Sequence, residues 1–382
     1  MDLSGLKYLV VGSGIWGSVF AERIATSLKE KVLVIDKNNF IGGHTYTKIH
    51  PLTGIECHLF GTHIFHTSIQ MVWDYISKFT ELNDYQHKVL IQYKNHVYSM
   101  PINLGTINNF YRINLRPSEA TAFINEEINK SGINFNNVKN LEEKAISLIG
   151  RPLYEAFIKG YTQKQWEKDL RELPSEIITR LPVRNNYNAN YFSDLHQGVP
   201  KQGYFKLFEN ILKHDKIDVE LGVDYFDIKH LIPAGCTVIY TGSVDQLFDY
   251  KFGRLEWRTV RFEEEIFNIK DYQGTSVLNY GDLEIPYTRI HEFKHLNPER
   301  DYYNKEQTVI FREYSKTYTE EDEPYYPINT PTNNNLHKSY MAEAEKIPKL
   351  IIGGRLGLYS YWDLDKAIEN SLNTFANTLL PK

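Results

Sequence analysis

One run of twenty residues, LKYLVVGSGIWGSVFAERIA from Leu6 to Ala25, limits the fold of this chain more than any other feature. Tyr8 to Val11 is a continuous apolar run, as expected of a parallel strand buried on both faces. Gly12, Gly14 and Gly17 then spell G-x-G-x-x-G, and Val19, Phe20, Ile24 and Leu28 mark one face of a following helix. KVLVID supplies a second buried strand that ends in Asp36. Strand, glycine turn, helix, strand and terminal acid make up the complete dinucleotide-binding βαβ unit. One glycine makes the tight turn, one lets the backbone approach a pyrophosphate, and one lets helix pack closely on strand. The helix start at Ile15 and Trp16 offers N–H groups and a positive dipole end to phosphates. Asp36 is placed to accept from a ribose hydroxyl.

The rest of the chain returns to that unit. NNFIGGHTYT puts a second Gly-Gly, Gly42 and Gly43, and His44 just past the second strand. It reads as a second backbone approach to the same cofactor, or else as a plain surface turn. Val238 to Tyr240, followed by Thr241, continues the nucleotide domain. KLIIGGRLGLYSYWDLDKAIENSLNTFANTLL adds a strand, a third Gly-Gly and a last helix with Ile368, Leu372, Phe375 and Leu379 on its apolar face. Asp363 or Asp365 is expected to cap it. An N-terminal βαβ unit, a second Gly-Gly and a C-terminal return are typical of FAD proteins, whereas NAD dehydrogenases usually lack the return.

The fold class expected is α/β with α+β insertions. A discontinuous Rossmann-like FAD-binding domain is read at 1–78, 200–245 and 340–382. A mainly helical-bundle domain follows at 79–165, entered by the helical spacing of Ile69, Val72, Trp73, Ile76 and Phe79. A loop and antiparallel β-sheet domain takes 166–199 and 246–339, with EIPYTRIHEFK its clearest strand-like segment and TEEDEPYY a solvated loop.

Composition narrows the function classes. A net charge of −5 with no long basic run argues against nucleic-acid partners. Cys57 and Cys236 show no ligand-like spacing and are too few for a disulfide framework. Without a signal-peptide pattern or a membrane-length apolar run, the expectation is a cytoplasmic protein with no membrane partner. The chain carries 27 tyrosines, which suit sugar and nucleobase pockets but also simply pack in β-structure. GTHIFHT sets His63 and His66 three residues apart. A zinc site needs at least a third protein ligand, and the spacing offers none, so no metal is expected.

GTHIFHT, MPINLGTIN, LYEAFIKGYTQKQW, LPVRNNYNANYF, VPKQGY, DYQGTSVLNY, IPYTRI, EPYYPI and GRLGLYSYWDLD occur in one order. In that order the chain resembles the bacterial UDP-galactopyranose mutases from about Tyr8 to the last helix. The resemblance implies an FAD-dependent isomerase that interconverts pyranose and furanose forms of a nucleotide-linked hexose, in the service of cell-surface polysaccharide such as O-antigen. It implies attack by the N5 of reduced flavin on the anomeric carbon, and hence NAD(P)H or another reductant. It assigns Arg184, in a mobile loop, and Arg289 to the departing diphosphate, with Tyr191, Tyr326 and Tyr361 around it. Tyr161 would stack on the nucleobase, near Asn109, Phe157 and Ile158. Trp166, Thr162 and Asn279 would contact substrate. Gly61, Thr62 and His63 would lie against the isoalloxazine, His63 hydrogen-bonding or relaying a proton, with His66 supporting that loop. Val223, Thr241, Arg355, Asp363, Leu364 and Asp365 would hold the rest of the flavin. A homodimer is implied as well.

Several positions depart from the family pattern. Thr62, His87, Asn109, Ile158, Asn185 and Glu167 replace residues usual there, Glu167 standing for a glycine. A shorter Asn109 and a trimmed Ile158 would leave room for a thymine methyl, so a dTDP-6-deoxyhexose such as dTDP-fucopyranose is the alternative substrate. An FAD-dependent amine oxidase-like protein shares the glycine fingerprint but has no use for paired diphosphate arginines.

Overall fold

The computed structural model describes residues 3–133, 137–178 and 182–380, so Leu181 of the LPVR block lies outside the described residues. The chain divides into two compact units, one of residues 1–85, 194–257 and 326–382, the other of residues 86–193 and 258–325.

The first unit is built on five strands in the order Leu350–Ile352, Thr237–Tyr240, Tyr8–Val11, Val32–Asp36 and Ile217–Leu221. Every pairing is parallel. Tyr8–Val11 is central, with Leu9 and Val10 wholly buried, as an unbroken apolar run requires. The edge strand Ile217–Leu221 buries only Ile217, which is why no apolar run marks it in the sequence. Helix Ile15–Arg23 packs beside the last helix, Leu364–Leu379. Phe20 meets Phe375 edge-on at 5.6 Å, and Ser371 Oγ donates to Trp16 O at 2.8 Å. That bond explains why Ser371 is buried while Leu372 and Leu379 are only half-buried. The inner stripe of the last helix is thus Ala367, Ile368, Ser371 and Phe375, rotated from the apolar stripe expected.

In the second unit the sheet runs Trp257–Phe267, Thr308–Thr317, Arg289–His291, Val277–Tyr280, Val89–Tyr93 and His96–Met100. The last two strands lie inside the stretch expected to be helical. Lys94 and Asn95, with φ of 48° and 64°, form the left-handed two-residue turn that a tight hairpin demands. Val277–Tyr280 pairs parallel to Val89–Tyr93 and antiparallel to Arg289–His291. Helices Leu104–Tyr111, Pro117–Lys130 and Leu141–Ile149 follow the hairpin. A helix from Arg151 widens into a π turn at Glu155–Lys159 and continues as Gly160–Trp166. Their shared core includes Ile107, Ala145, Ile149, Leu153 and Phe157. Of EIPYTRIHEFK only Arg289–His291 is strand; the remainder is turn and a 3₁₀ segment, Phe293–Leu296.

Candidate active site

The first unit places two glycine turns against each other. Gly12 has φ of +101°, and a Cβ there would lie 2.1 Å from Thr241 Oγ1. A Cβ on Gly17 would lie 2.1 Å from Gly12 O, so helix and strand approach through that gap. Gly42 N donates to Ser13 O at 3.0 Å, and Gly14 and Gly42 form a bridge. The second Gly-Gly is therefore part of the first turn's wall and not a separate surface turn. A Cβ on Gly14 would meet no protein atom within 4 Å, and helix Ile15–Arg23 has no side-chain cap at its N-terminus. Open space beside uncapped N–H groups at a helix N-terminus suits a pyrophosphate, so the residues present fit a dinucleotide cofactor. Asp36 has a second duty that the sequence did not suggest. Its Oδ2 accepts from Ser13 N at 2.8 Å and Ser13 Oγ at 2.6 Å, and its Oδ1 from Asn38 N at 2.9 Å and Asn38 Nδ2 at 3.1 Å. Val223 N donates to Asp36 O at 2.9 Å, tying the edge strand's exit to the same corner.

The two histidines of GTHIFHT lie in the same unit. His63 Nδ1 is 2.8 Å from Gly61 O, which can only accept, so the proton sits on Nδ1. His66, on strand Phe65–Thr67, is clamped by two acids. Its Nδ1 is 2.8 Å from Asp194 Oδ2, and its Nε2 is 3.6 Å from Asp363 Oδ2. Burial opposes charge on His66, but Asp363 and Asp194 outweigh it and the pKa is raised above the ordinary 6.5. The neighbouring His66 ring, with Arg355 and His63 nearby, lowers the pKa of Asp363. Asp363 occupies the N-cap of the last helix yet makes no side-chain cap bond, because its carboxylate is turned to His66. Asp365, two residues further on, is buried, and burial raises its pKa. The Arg355 guanidinium stands 5.0 Å from the Tyr361 ring centroid, and Tyr361 and Tyr326 lie 5.3 Å apart. Glycine turns, His63, Arg355, Tyr326, Tyr361 and Asp363 thus all belong to one unit.

The second unit carries the remaining residues. Arg289 and Asn279 are direct cross-strand partners. Arg289 Nε lies 2.9 Å from Glu313 Oε1, and His291 Nε2 lies 3.0 Å from Glu313 Oε2. Burial resists the Glu313 charge, but Arg289 and His291 hold its pKa down at about 2. Burial also lowers the pKa of His291, which therefore donates Nε2–H as a neutral ring. Asn279 Oδ1 is buried with no hydrogen-bond partner among the described residues. Such an acceptor costs about 1–3 kcal/mol unless water or a ligand donates to it. Arg184 is held in its loop by Nη1 donating to Asn188 O at 3.0 Å and to Asn190 O, and by its own N–H on Ile102 O. Tyr191 N donates to His87 O, and the His87 ring packs against Tyr191 and Phe192.

Helix Gly160–Trp166 carries Tyr161, Thr162 and Trp166, each half-buried. Glu167 follows with φ of +50°, a conformation that glycine adopts without cost, and its carboxylate lies 2.9 Å from Arg258 Nη1. Phe157 and Ile158 are buried in the core at 2% and 7% exposure, whereas Asn109 is exposed. Phe157 packs edge-on to Tyr93, Tyr98 and Phe110, so it backs the surface and presents little of itself. Asp194, Glu313, His291 and Arg258 were not singled out from the sequence. The one available signal was Glu313, a charged residue in phase with Val309 and Phe311 on an alternating strand.

The parallel sheet and its paired glycine turns define a protein with a Rossmann-like dinucleotide-binding domain. Residues 10–79 match the model of an NAD(P)-binding Rossmann-like domain, and residues 156–361 match that of UDP-galactopyranose mutase. The chain is 36% identical over 370 residues to a dTDP-fucopyranose mutase of Escherichia coli, covering 96% of both chains. It is 39% identical over 372 residues to a protein of Klebsiella pneumoniae described as a probable UDP-galactopyranose mutase, covering 97% of this chain and 94% of that one. A crystal structure of reduced UDP-galactopyranose mutase superimposes with a TM-score of 0.74 at 15% identity, over 98% of this chain and 95% of that one. The chain belongs to the UDP-galactopyranose mutase family, and it is an isomerase of that flavin-dependent family.

Proposed function

We propose that the chain interconverts the pyranose and furanose forms of a nucleotide-diphosphate hexose, most directly UDP-galactopyranose and UDP-galactofuranose, with FAD as cofactor. The observation that carries it is Asn279 Oδ1, a buried acceptor without a partner among the described residues, on the strand position paired with Arg289. A sugar hydroxyl can donate to the first and a phosphate oxygen can accept from the second, and a nucleotide sugar carries both groups. Bound and reduced, the flavin would supply a nucleophile for the anomeric carbon, chemistry in which the nucleoside diphosphate departs and returns with no net oxidation. The protein's own share is positioning and charge. Gly12, Gly14 and the N-terminus of helix Ile15–Arg23 receive the cofactor pyrophosphate. His63, with its proton on Nδ1, would offer Nε2 as a hydrogen-bond acceptor or proton carrier. Arg184 and Arg289 neutralise the diphosphate as it departs, with Tyr191, Tyr326 and Tyr361 donating hydroxyls to it. Tyr161, Thr162 and Trp166 hold nucleoside and sugar. Activation by NAD(P)H or another reductant, a homodimeric state, a cytoplasmic setting and a role in cell-surface polysaccharide complete the proposal.

A second substrate, dTDP-fucopyranose, is favoured by near-full-length likeness to a dTDP-fucopyranose mutase. Asn109, which is exposed, and Ile158, which is buried, are the residues that would admit a thymine methyl. Turnover of both nucleotide sugars by dithionite-reduced enzyme decides between them. At least about a ten-fold higher kcat/KM for UDP-galactopyranose supports the first, and the reverse preference supports the second.

A further inference from the structure

Helix Gly160–Trp166 and the turn joining strands Val277–Tyr280 and Arg289–His291 meet through contacts that the proposed chemistry leaves unused. Lys164 Nζ lies 2.8 Å from Tyr280 O, 2.9 Å from Asp282 O, 3.0 Å from Ile285 O and 3.0 Å from Tyr287 O. An ammonium has three protons to give, so all are engaged and one is shared. The four carbonyls come from both limbs of the turn. Tyr280 follows Asn279 directly, and Tyr287 lies two residues before Arg289. The approach is close because neither side has a side chain in the way. A Cβ on Gly160 would lie 1.9 Å from Gly281 O, and one on Gly281 would lie 2.5 Å from Ala156 O. The far side of the turn is pinned to the hairpin, with Gly281 N donating to Gln92 O and Lys94 N to the Asp282 carboxylate.

We propose that Lys164 is a positioning residue for nucleotide-diphosphate recognition: its ammonium gathers the 280–287 turn and so sets the register in which Asn279 and Arg289 are presented. The inference rests on the assignment of Arg289 to the diphosphate. A neutral amine could not do the same work, since it has two donors for four carbonyls and a lone pair turned on one of them. Burial pushes the Lys164 pKa down to about 8, partly opposed by Asp282 and Glu284 of the turn. Other charged groups of the packed elements have partners of their own, among them Arg312, which pairs with Glu265. Glu167 pairs with Arg258. Glu313 pairs with Arg289 and His291.

The test uses flavin-loaded full chain, wild type, Lys164→Arg and Lys164→Met, titrated with UDP and with dTDP across pH. Lys164→Met is expected to weaken nucleotide binding roughly ten-fold or more and to lower kcat/KM by about a hundred-fold, with flavin content unchanged. Wild-type affinity is expected to fall between pH 8 and the ordinary lysine value of 10.5. Lys164→Arg, whose guanidinium does not titrate there, is expected to bind less tightly than wild type but without that alkaline limb. Should Lys164→Met not fold, wild type and Lys164→Arg still decide the matter through the limb. Wild-type affinity in Lys164→Met, or the same alkaline limb in wild type and Lys164→Arg, overturns the proposal. Failure of wild type to bind either nucleotide overturns the diphosphate assignment itself, and the inference with it.

Discussion

At the scale of single residues, the site works by denying side chains their freedom. His66 is the clearest case, a buried ring between Asp194 and Asp363 whose pKa is raised above 6.5. A raised pKa means that the native state holds the proton more tightly than the unfolded chain. The clamp's stabilisation is therefore fully present below about pH 6.5 and is lost as pH rises through the raised native value. Asp363, with a lowered pKa, sets the opposite limb: its contribution is present above the ordinary 3.8 and is lost as pH falls through its native value. Thermal melts of wild type and His66→Gln from about pH 6 to about pH 9 check the alkaline limb. The wild-type advantage is expected to shrink steadily over that range, and a constant difference would show that His66 contributes packing alone. Glu313 belongs to the same pattern. Removing it would take the carboxylate from the half-buried Arg289 and the fully buried His291, and broken buried pairs are among the more costly losses known for a single side chain.

Elements show which parts of this were legible in the sequence. The glycine turn was readable because its information is local: Gly12, Gly14 and Gly17 lie within six residues, and a strand and a helix flank them. The hairpin Val89–Met100 was not, because its strands are five residues each and their alternation is short beside the helical segments that follow. Lys164 and Asp194 were invisible for another reason. Their partners lie 116 to 128 residues away, and nothing local tells a capped lysine from a solvated one. The glycine turn also allows a paired test. Gly17→Ala puts a methyl 2.1 Å from a backbone oxygen and is expected to destabilise the chain by about 3 kcal/mol. Gly14→Ala meets no protein atom, so the urea midpoint is expected to stay put while flavin affinity falls. Equal destabilisation by both, or undiminished flavin affinity in Gly14→Ala, would remove that space from the cofactor.

At the scale of the whole molecule, the two units divide the labour proposed for the family's chemistry. One is a five-stranded parallel sheet with two touching glycine turns and an open helix N-terminus, the arrangement that receives a dinucleotide. The other is a mixed sheet and helical core whose short strands display Arg289 and Asn279 and whose turn is gathered by Lys164. Neither alone accounts for a mutase: an oxidase would need the first, and a nucleotide-binding protein the second. The central claim is that the chain isomerises a nucleotide sugar without consuming an oxidant. It is tested most directly by anaerobic turnover of UDP-galactopyranose and dTDP-fucopyranose after one reduction with dithionite, with oxidised enzyme as control. The account predicts many ring-contracted products per flavin from reduced enzyme and almost none from oxidised enzyme. Turnover of neither sugar, or turnover only in step with an added electron acceptor, would contradict it.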